Sequence, residues 1–249
     1  MIRPSFISEA DWKCLTKKYN EKKLKKVVKK IEKDYPIQYA VGNVQFLDSV
    51  IDVSKSVLIP RFETELLVDK LRKYIKNNNL QNSSILDLCT GSGCIAVTLK
   101  KSNPNADVVA VDKSIKALTV AKINAKKNNV KINFLRKDVL KKCSFKQRFS
   151  IIVSNPPYVK LNEPVSPNTK YEPQMALYPG EDDIIFYKKI IDMSLDITYP
   201  KSIIAFEIGS TQSGAICKYA KKVLKDAKIV VEKDYNNFAR FIFIFNNCE

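Results

Sequence analysis

Short apolar runs alternate with longer amphipathic stretches from Ser84 to the end of the chain. The runs are rich in Ile, Val and Phe, as expected for strands buried on both faces of a sheet. The stretches between them carry apolar residues at helical spacing, and Ser114 is placed to cap one of these helices. Alternation of this kind predicts an α/β fold with a mostly parallel sheet. Seven strands are expected, at residues 85–88, 108–111, 132–135, 149–153, 202–208, 229–232 and 241–245.

The N-terminal part follows a different pattern. Residues 9–33 carry a loose apolar stripe among lysines, which predicts one or two short helices. Apolar positions within 44–59 predict two or three short strands, including a hairpin. Glu63 or Thr64 is expected to open the helix that follows. The expected organisation is therefore a helical segment (1–35), a linker with a β-hairpin (36–60) and a main domain (61–249).

The amino-acid composition excludes several classes of catalytic chemistry. The chain of 249 residues has no histidine, which excludes Ser-His and Cys-His nucleophile schemes and most zinc sites. Its six cysteines form no CxxC pair, which indicates reduced structural thiols and no metal site. No apolar run is long enough to cross a bilayer, and the N-terminus lacks a signal-peptide pattern, so a cytoplasmic protein without a membrane partner is expected.

The charge balance is strongly basic. Lys plus Arg number 43 and Asp plus Glu number 26, for a net charge of +17. Such a charge favours acidic partners, including RNA and the ribosome. The excess is mostly lysine, however, and a compositional bias of the gene explains it equally well. A basic amphipathic segment such as residues 9–33 can bind a membrane or RNA. The favoured interpretation is a small docking appendage whose lysines form a solvated face.

A glycine-containing turn follows the first predicted strand of the sheet, in the sequence DLCTGSG. Gly91 and Gly93 let the backbone approach a ligand closely. Asp112 ends the next strand, where a carboxylate can accept hydrogen bonds from both hydroxyls of a ribose. Asp138 follows the third strand and is a candidate to receive an adenine amino group. Together these strand ends predict a nucleoside-sized crevice.

The fourth strand leads directly into Asn155, Pro156, Pro157 and Tyr158. Asn155 offers an amide oxygen, and the two prolines fix φ and remove two backbone N–H groups, so the Pro156 carbonyl has no neighbouring donor. Tyr158 adds a flat face. The four residues predict a receptor for a planar NH2 group beside the crevice. A hydride-transfer cofactor does not explain such a receptor, whereas a methyl donor does, because an activated methyl needs mainly an aligned nitrogen.

These motifs resemble those of class I methyltransferases that act on planar nitrogens. The segments YPIQYAVGNVQF, LIPRFETELLV, FEIGSTQ and KDYNNFARFI further resemble the protein-(glutamine-N5) methyltransferases of peptide chain release factors, over roughly residues 35–249. The resemblance implies a Rossmann-like seven-stranded sheet, S-adenosylmethionine as methyl donor with S-adenosylhomocysteine as product, and methylation of the glutamine of the Gly-Gly-Gln motif in translation termination. A monomer is expected.

The resemblance also assigns residues. It implies that Asn155, Pro156, Pro157 and Tyr158 bind the glutamine amide, with Asn155, Pro156 and Tyr158 counted as catalytic. The cofactor set is Cys89, Thr90, Gly91, Ser92, Gly93, Asp112, Asp138, Val139 and Asn155. Cys89 stands where glycine is usual and Phe62 where proline is usual, and Val139 replaces a frequent aromatic residue. The alternatives are an N6-adenine methyltransferase of DNA or RNA and a ribosome-associated binding module without catalytic activity.

Overall fold

The structure is a computed structural model, and it describes residues 1–248. Within them the α-helices are α1 (Glu9–Lys18), α2 (Glu21–Ile31), α3 (Ile37–Val41), α4 (Phe62–Asn77), α5 (Cys94–Ser102), α6 (Ile115–Lys127), α7 (Ile185–Ile197) and α8 (Ser213–Val223). The strands are β1 (Asn43–Phe46), β2 (Ser49–Asp52), β3 (Ile85–Leu88), β4 (Val108–Asp112), β5 (Asn133–Arg136), β6 (Phe149–Ser154), β7 (Thr198–Glu207), β8 (Lys228–Lys233) and β9 (Ala239–Asn246).

A seven-stranded sheet forms the centre of the molecule, in the order β5-β4-β3-β6-β7-β9-β8. The strands from β5 to β7 are parallel, and β9 runs antiparallel to both of its neighbours. The expected seven-stranded α/β sheet is thus confirmed. After β3 the chain moves to β4 on one side, and it later returns to β6 on the other side. Open α/β sheets bind ligands at such a switch point, beyond the carboxyl ends of the strands.

The two faces of the sheet bury separate apolar clusters, which explains why the strands have continuous apolar sequences. Ile85, Ile151 and Ile203 face the cluster that also contains residues of α4, α5 and the β1-β2 hairpin. Their chain neighbours, such as Leu86 and Ile152, face the cluster formed with α7 and α8. Because side chains alternate along a strand, the buried part of each of these strands meets an apolar cluster on both faces of the sheet.

One buried side chain helps to fix the β1-β2 hairpin to the main sheet domain. Asn124 of α6 accepts a hydrogen bond from the Asp52 backbone N–H (2.7 Å). Its Nδ2 donates to the carbonyl oxygens of Asp52 (3.0 Å) and Ser92 (2.9 Å). A single amide thereby links the hairpin to the turn that precedes α5.

Two short strands, β1 and β2, form a hairpin before α4, within the two or three that the sequence predicts. Residues 57–59 form no strand, because the Ile59 N–H donates to the side chain of Glu172 (3.0 Å) and Pro60 has no N–H for a ladder. The expectation that Glu63 or Thr64 opens α4 is wrong, since the helix begins at Phe62. Thr64 lies inside the helix and is buried.

The N-terminal helices have a small core of their own. Leu15, Leu24 and Ile7 pack with Ala40 and Val41, so this cluster extends into α3. The boundaries proposed from the sequence for the helical segment and the linker stay a prediction. No helix among the described residues combines the length and apolar character needed to cross a membrane.

Candidate active site

A cavity opens at the carboxyl ends of β3, β4 and β6, and most of the residues singled out from the sequence line it. Those in the lining are Cys89, Thr90, Gly91, Ser92, Asp112, Asp138, Val139, Asn155 and Pro157. Gly93, Pro156 and Tyr158 lie outside the lining. Several other lining residues carry no site motif in the sequence, namely Ser56, Val57, Leu58, Pro60, Thr64, Pro173, Met175, Ala176 and Phe186.

The turn between β3 and α5 has a backbone that favours glycine at three positions. Cys89, Gly91 and Gly93 all have positive φ, at 61°, 54° and 80°. Cys89 therefore adopts the left-handed conformation with a side chain, at some cost in strain. At Gly93 a Cβ would approach the Ala121 Cβ to 3.0 Å, so the absent side chain lets α5 pack tightly on α6. The turn is held in a tight curve around one side of the cavity.

Asp112 joins this turn to the start of α6. Its Oδ2 accepts from the Gly91 N–H (3.0 Å), and its Oδ1 accepts from the Ser114 N–H (2.8 Å). Burial raises the pKa of Asp112, and the hydrogen bonds from Ser114 and Gly91 act in the opposite direction. Each carboxylate oxygen keeps a further lone pair, so both can accept hydrogen bonds from vicinal hydroxyls in the cavity.

Asp87 is the carboxylate of the DLCTGSG motif, and it is fully buried. Its Oδ2 accepts from the Thr90 hydroxyl (2.5 Å) and from the Ala96 N–H (3.2 Å). Its Oδ1 has no hydrogen-bond partner among the described residues. Burial raises the pKa of Asp87 to about 7. The side chain thus braces the turn and keeps one acceptor unused.

Asn155 lies directly after β6 and is half-buried. Its Nδ2 donates to the Thr64 hydroxyl oxygen (2.9 Å), so the amide oxygen remains for a ligand. Among the described residues no donor pairs with the Pro156 carbonyl, as expected from the two prolines. The Tyr158 hydroxyl donates to Glu207 Oε1 (3.2 Å), so its polar end is engaged with the protein.

Glu207 is a buried carboxylate at the end of β7 that is absent from the site residues predicted from the sequence. It accepts from the hydroxyls of Thr64 (2.6 Å) and Tyr158. Burial raises its pKa to about 7, although those two hydrogen bonds oppose the shift. In the sequence, the signal for Glu207 is an acidic residue within the apolar strand segment 203–208. A buried charge requires polar partners, so such a residue indicates a hydrogen-bonded site.

The Pro-rich loop that follows Tyr158 forms another wall of the cavity. It is ordered by two short 3-10 turns, Pro167–Tyr171 and Gln174–Ala176. Glu172, whose side chain is fully buried, accepts from the Ile59 N–H and from Arg61 Nη2 (2.5 Å). We call these contacts of Glu172 with Ile59 and Arg61 the Glu172 clamp. The clamp joins residues 58–60 to residues 173–176, and both segments line the cavity.

Arg61→Ala is expected to loosen this wall. The change leaves the buried Glu172 charge with only the Ile59 N–H, and we expect the free energy of unfolding to fall by about 2 kcal/mol, since Arg61 is itself partly exposed. Denaturant unfolding measures the loss, and hydrogen exchange should rise at residues 57–61 and 172–176. Lys73→Ala, within α4, breaks only an exposed pair with Asp69 and should leave stability nearly unchanged. Equal effects of the two changes would contradict the clamp.

Comparison with known proteins identifies relatives of this chain. The family Methyltransferase small domain matches residues 61–168. The chain is 43% identical over 173 residues to the release factor glutamine methyltransferase of Flavobacterium psychrophilum, covering 68% of this chain and 61% of that protein. It is 40% identical over 198 residues to the protein of the same name from Thermodesulfovibrio yellowstonii, covering 78% of this chain and 70% of that protein.

Solved structures show the same fold. The T. thermophilus 16S rRNA N2 G1207 methyltransferase, solved with AdoMet and guanosine, superposes with a TM-score of 0.60 at 15% identity, over 82% of this chain and 50% of that one. At this identity the likeness bears on the fold alone. The fold is the Rossmann-like sheet of class I methyltransferases, as the sequence predicted.

Proposed function

The chain belongs to the release factor glutamine methyltransferase family, and on that premise we propose that it methylates peptide chain release factors. The proposed reaction transfers a methyl group from S-adenosylmethionine to the side-chain nitrogen, N5, of the glutamine in the Gly-Gly-Gln motif. The observation that carries the proposal is the Asn155 amide, which lines the same cavity as Gly91 and Asp112 and has its NH2 group already engaged by Thr64. The relatives do not favour the N6-adenine alternative.

The cavity fits the cofactor by the chemistry of its donors and acceptors. We assign the ribose hydroxyls to the free lone pairs of Asp112 and the close backbone approach to the turn from Cys89 to Gly93. Asp138 and Val139 are assigned to the adenine end. The unpartnered Oδ1 of Asp87 is an acceptor at the same turn. Bound S-adenosylmethionine supplies a methyl group that its sulfonium already activates.

In the proposed mechanism the protein holds the nucleophile. The Asn155 Oδ1 and the Pro156 carbonyl oxygen accept the two hydrogens of the glutamine NH2, and Tyr158 and Pro157 border that position. These two acceptors draw the hydrogens away from the amide plane, which partly frees the nitrogen lone pair and aligns it with the methyl carbon. Bound donor would supply the methyl group with its sulfur as leaving group, and the amide nitrogen held by Asn155 and Pro156 would give up one proton to solvent as it is methylated. This chemistry requires no histidine, in agreement with the composition.

Mass spectrometry tests the proposed function. The purified protein is incubated with S-adenosylmethionine and an unmethylated release factor, and the Gly-Gly-Gln peptide is examined for one added methyl on the glutamine. A release factor with that glutamine changed to glutamate is the control and should remain unmodified. DNA and RNA are assayed in parallel with labelled donor. Label in nucleic acid and none in the release factor would overturn the proposal.

Release factors are the expected partners. From the net charge of +17 we also predict contact with the ribosome or RNA. The protein is further predicted to be a monomer. Within the described residues, no three side chains of the metal-binding types lie close enough to share an ion.

A further inference from the structure

A line of hydrogen bonds runs from the cavity into the interior of the protein. Nδ2 of Asn155 donates to Oγ1 of Thr64 (2.9 Å), and that hydroxyl donates to Oε2 of Glu207 (2.6 Å). Thr64 and Glu207 are both buried, with 2% and 0% of their surface exposed, so water does not compete for these bonds. The three side chains come from α4, the segment after β6 and the end of β7.

The direction of each bond in this line follows from the last member. An ionised carboxylate only accepts hydrogen bonds, so the single hydrogen of the Thr64 hydroxyl must point to Glu207. The Thr64 oxygen then faces Asn155 as an acceptor. Asn155 must therefore donate to the Thr64 oxygen through its NH2 group, which turns the Asn155 carbonyl oxygen toward the cavity.

Without the Glu207 carboxylate, nothing requires the Thr64 hydroxyl to donate away from Asn155. The Thr64 hydroxyl can then donate to Asn155 Oδ1, and the amide, rotated by half a turn, presents NH2 to the cavity. An NH2 group there meets the NH2 of the substrate amide, donor against donor. The sense of the Asn155 amide therefore decides whether the site accepts or repels the nitrogen to be methylated.

We propose that Thr64 and Glu207 are positioning residues that hold the acceptor end of the Asn155 amide toward the substrate. The inference rests on the proposed function, because it concerns the same amide receptor. Neither residue needs to touch the reacting atoms. Tyr158 supports Glu207 through the second carboxylate oxygen, and its own pKa is raised by burial, so it remains a donor.

Protonation of Glu207 should weaken this control. A neutral carboxyl can itself donate to the Thr64 oxygen and release the Thr64 hydrogen toward Asn155. Because burial raises the pKa of Glu207 to about 7, kcat should rise as pH increases through that value. The titratable or charged groups that face Glu207 are Glu63, Arg240, Tyr158, Tyr187 and Cys94. Burial raises the pKa of both tyrosines and that of Cys94, so these three groups do not titrate in the same range.

Threonine variants provide the central test. Thr64→Val keeps the shape and removes the hydroxyl, and we expect kcat for release-factor methylation to fall about 10- to 100-fold, the scale of a misplaced catalytic group. Thr64→Ser restores the hydroxyl and should recover kcat to within about threefold. The affinity for S-adenosylmethionine, measured by calorimetry, should change less than about threefold in both variants. Thr98→Val is the matched control, because it removes a buried threonine hydroxyl that bonds Ser49 away from the cavity.

Glu207→Gln provides a second test that does not depend on Thr64. The NH2 group of a glutamine at position 207 can donate to the Thr64 oxygen and reverse the direction of both hydrogen bonds. We therefore expect kcat to fall about as far as in Thr64→Val. Its kcat should also lose the rise through about pH 7 that the wild type shows. Saturating cofactor is used throughout, since Asp87 also has a pKa near 7 and lies at the cofactor turn.

The outcomes separate this inference from the proposed function. If the wild type fails to methylate release factors, the proposed function itself is wrong. If the wild type is active and Thr64→Val, folded by its melting curve, keeps kcat within threefold, the positioning role is wrong. A loss in Thr64→Val that Thr64→Ser does not recover, or an equal loss in Thr98→Val, also overturns it.

Discussion

Asn155→Ala should lower kcat for methylation of the release-factor glutamine by about 10³-fold, while binding of S-adenosylmethionine changes only a few-fold. The change removes the one side-chain acceptor that the proposed mechanism places on the glutamine NH2, and losing one preorganised polar group of this kind typically costs 10²- to 10³-fold in kcat. It also leaves the Thr64 oxygen without its donor, which disturbs the receptor further. Single-turnover assays measure the first effect and calorimetry the second.

Asn128→Ala is the control for this variant. It removes the same amide group from the C-terminal end of α6, where Asn128 bonds the Val50 carbonyl of the hairpin (2.9 Å). Turnover should be unchanged there. If Asn155→Ala turns over at the wild-type rate, the amide oxygen of Asn155 is not the acceptor, and the assigned mechanism fails even though the family membership stands.

Asp112→Ala should raise the dissociation constant for S-adenosylmethionine by about 10²-fold or more. The carboxylate is assigned two hydrogen bonds to the ribose, and bonds to a charged group contribute about 1.5–3 kcal/mol each. The same change frees the N–H groups of Gly91 and Ser114, so the turn also loses its anchor. Calorimetry with the cofactor or with S-adenosylhomocysteine measures the loss.

Two further variants calibrate that result. Asp112→Asn keeps the shape and one acceptor oxygen, so an intermediate loss of about 10-fold is expected. Asp107→Ala removes an exposed carboxylate just before the opposite end of β4 and should leave the dissociation constant unchanged. Unaltered affinity in Asp112→Ala would mean that the cofactor does not use this strand end.

The elements of the sheet could be predicted because their signals are local. All seven expected strands are present with ends shifted by only a few residues, since buried parallel strands and amphipathic helices have distinct periods. The cap of α6 is confirmed as well, with Ser114 accepting from the Ala117 N–H (3.2 Å). The N-terminal segment was harder, because short elements such as α3 carry too few residues for a period to emerge.

Position at the ends of the strands was enough to find most of the cavity. Asp112 ends β4, and Asp138 and Asn155 follow β5 and β6. All three line one cavity, because the carboxyl ends of parallel strands meet at one edge of the sheet. The walls formed by residues 56–60 and 173–176 were not found. Their place depends on Glu172, which reaches across 113 positions of the chain to the Ile59 N–H.

The amino-acid sequence alone determined the fold class, the site's location on the sheet and the family resemblance, since each depends on residue types at short spacing. Tertiary structure alone decided which end of the Asn155 amide faces the cavity. That orientation depends on Thr64 and Glu207, which lie 91 and 52 residues away along the chain and act through a buried hydrogen bond. A hydrogen bond has a direction only once its donor and acceptor are brought within reach, and folding is the step that does so.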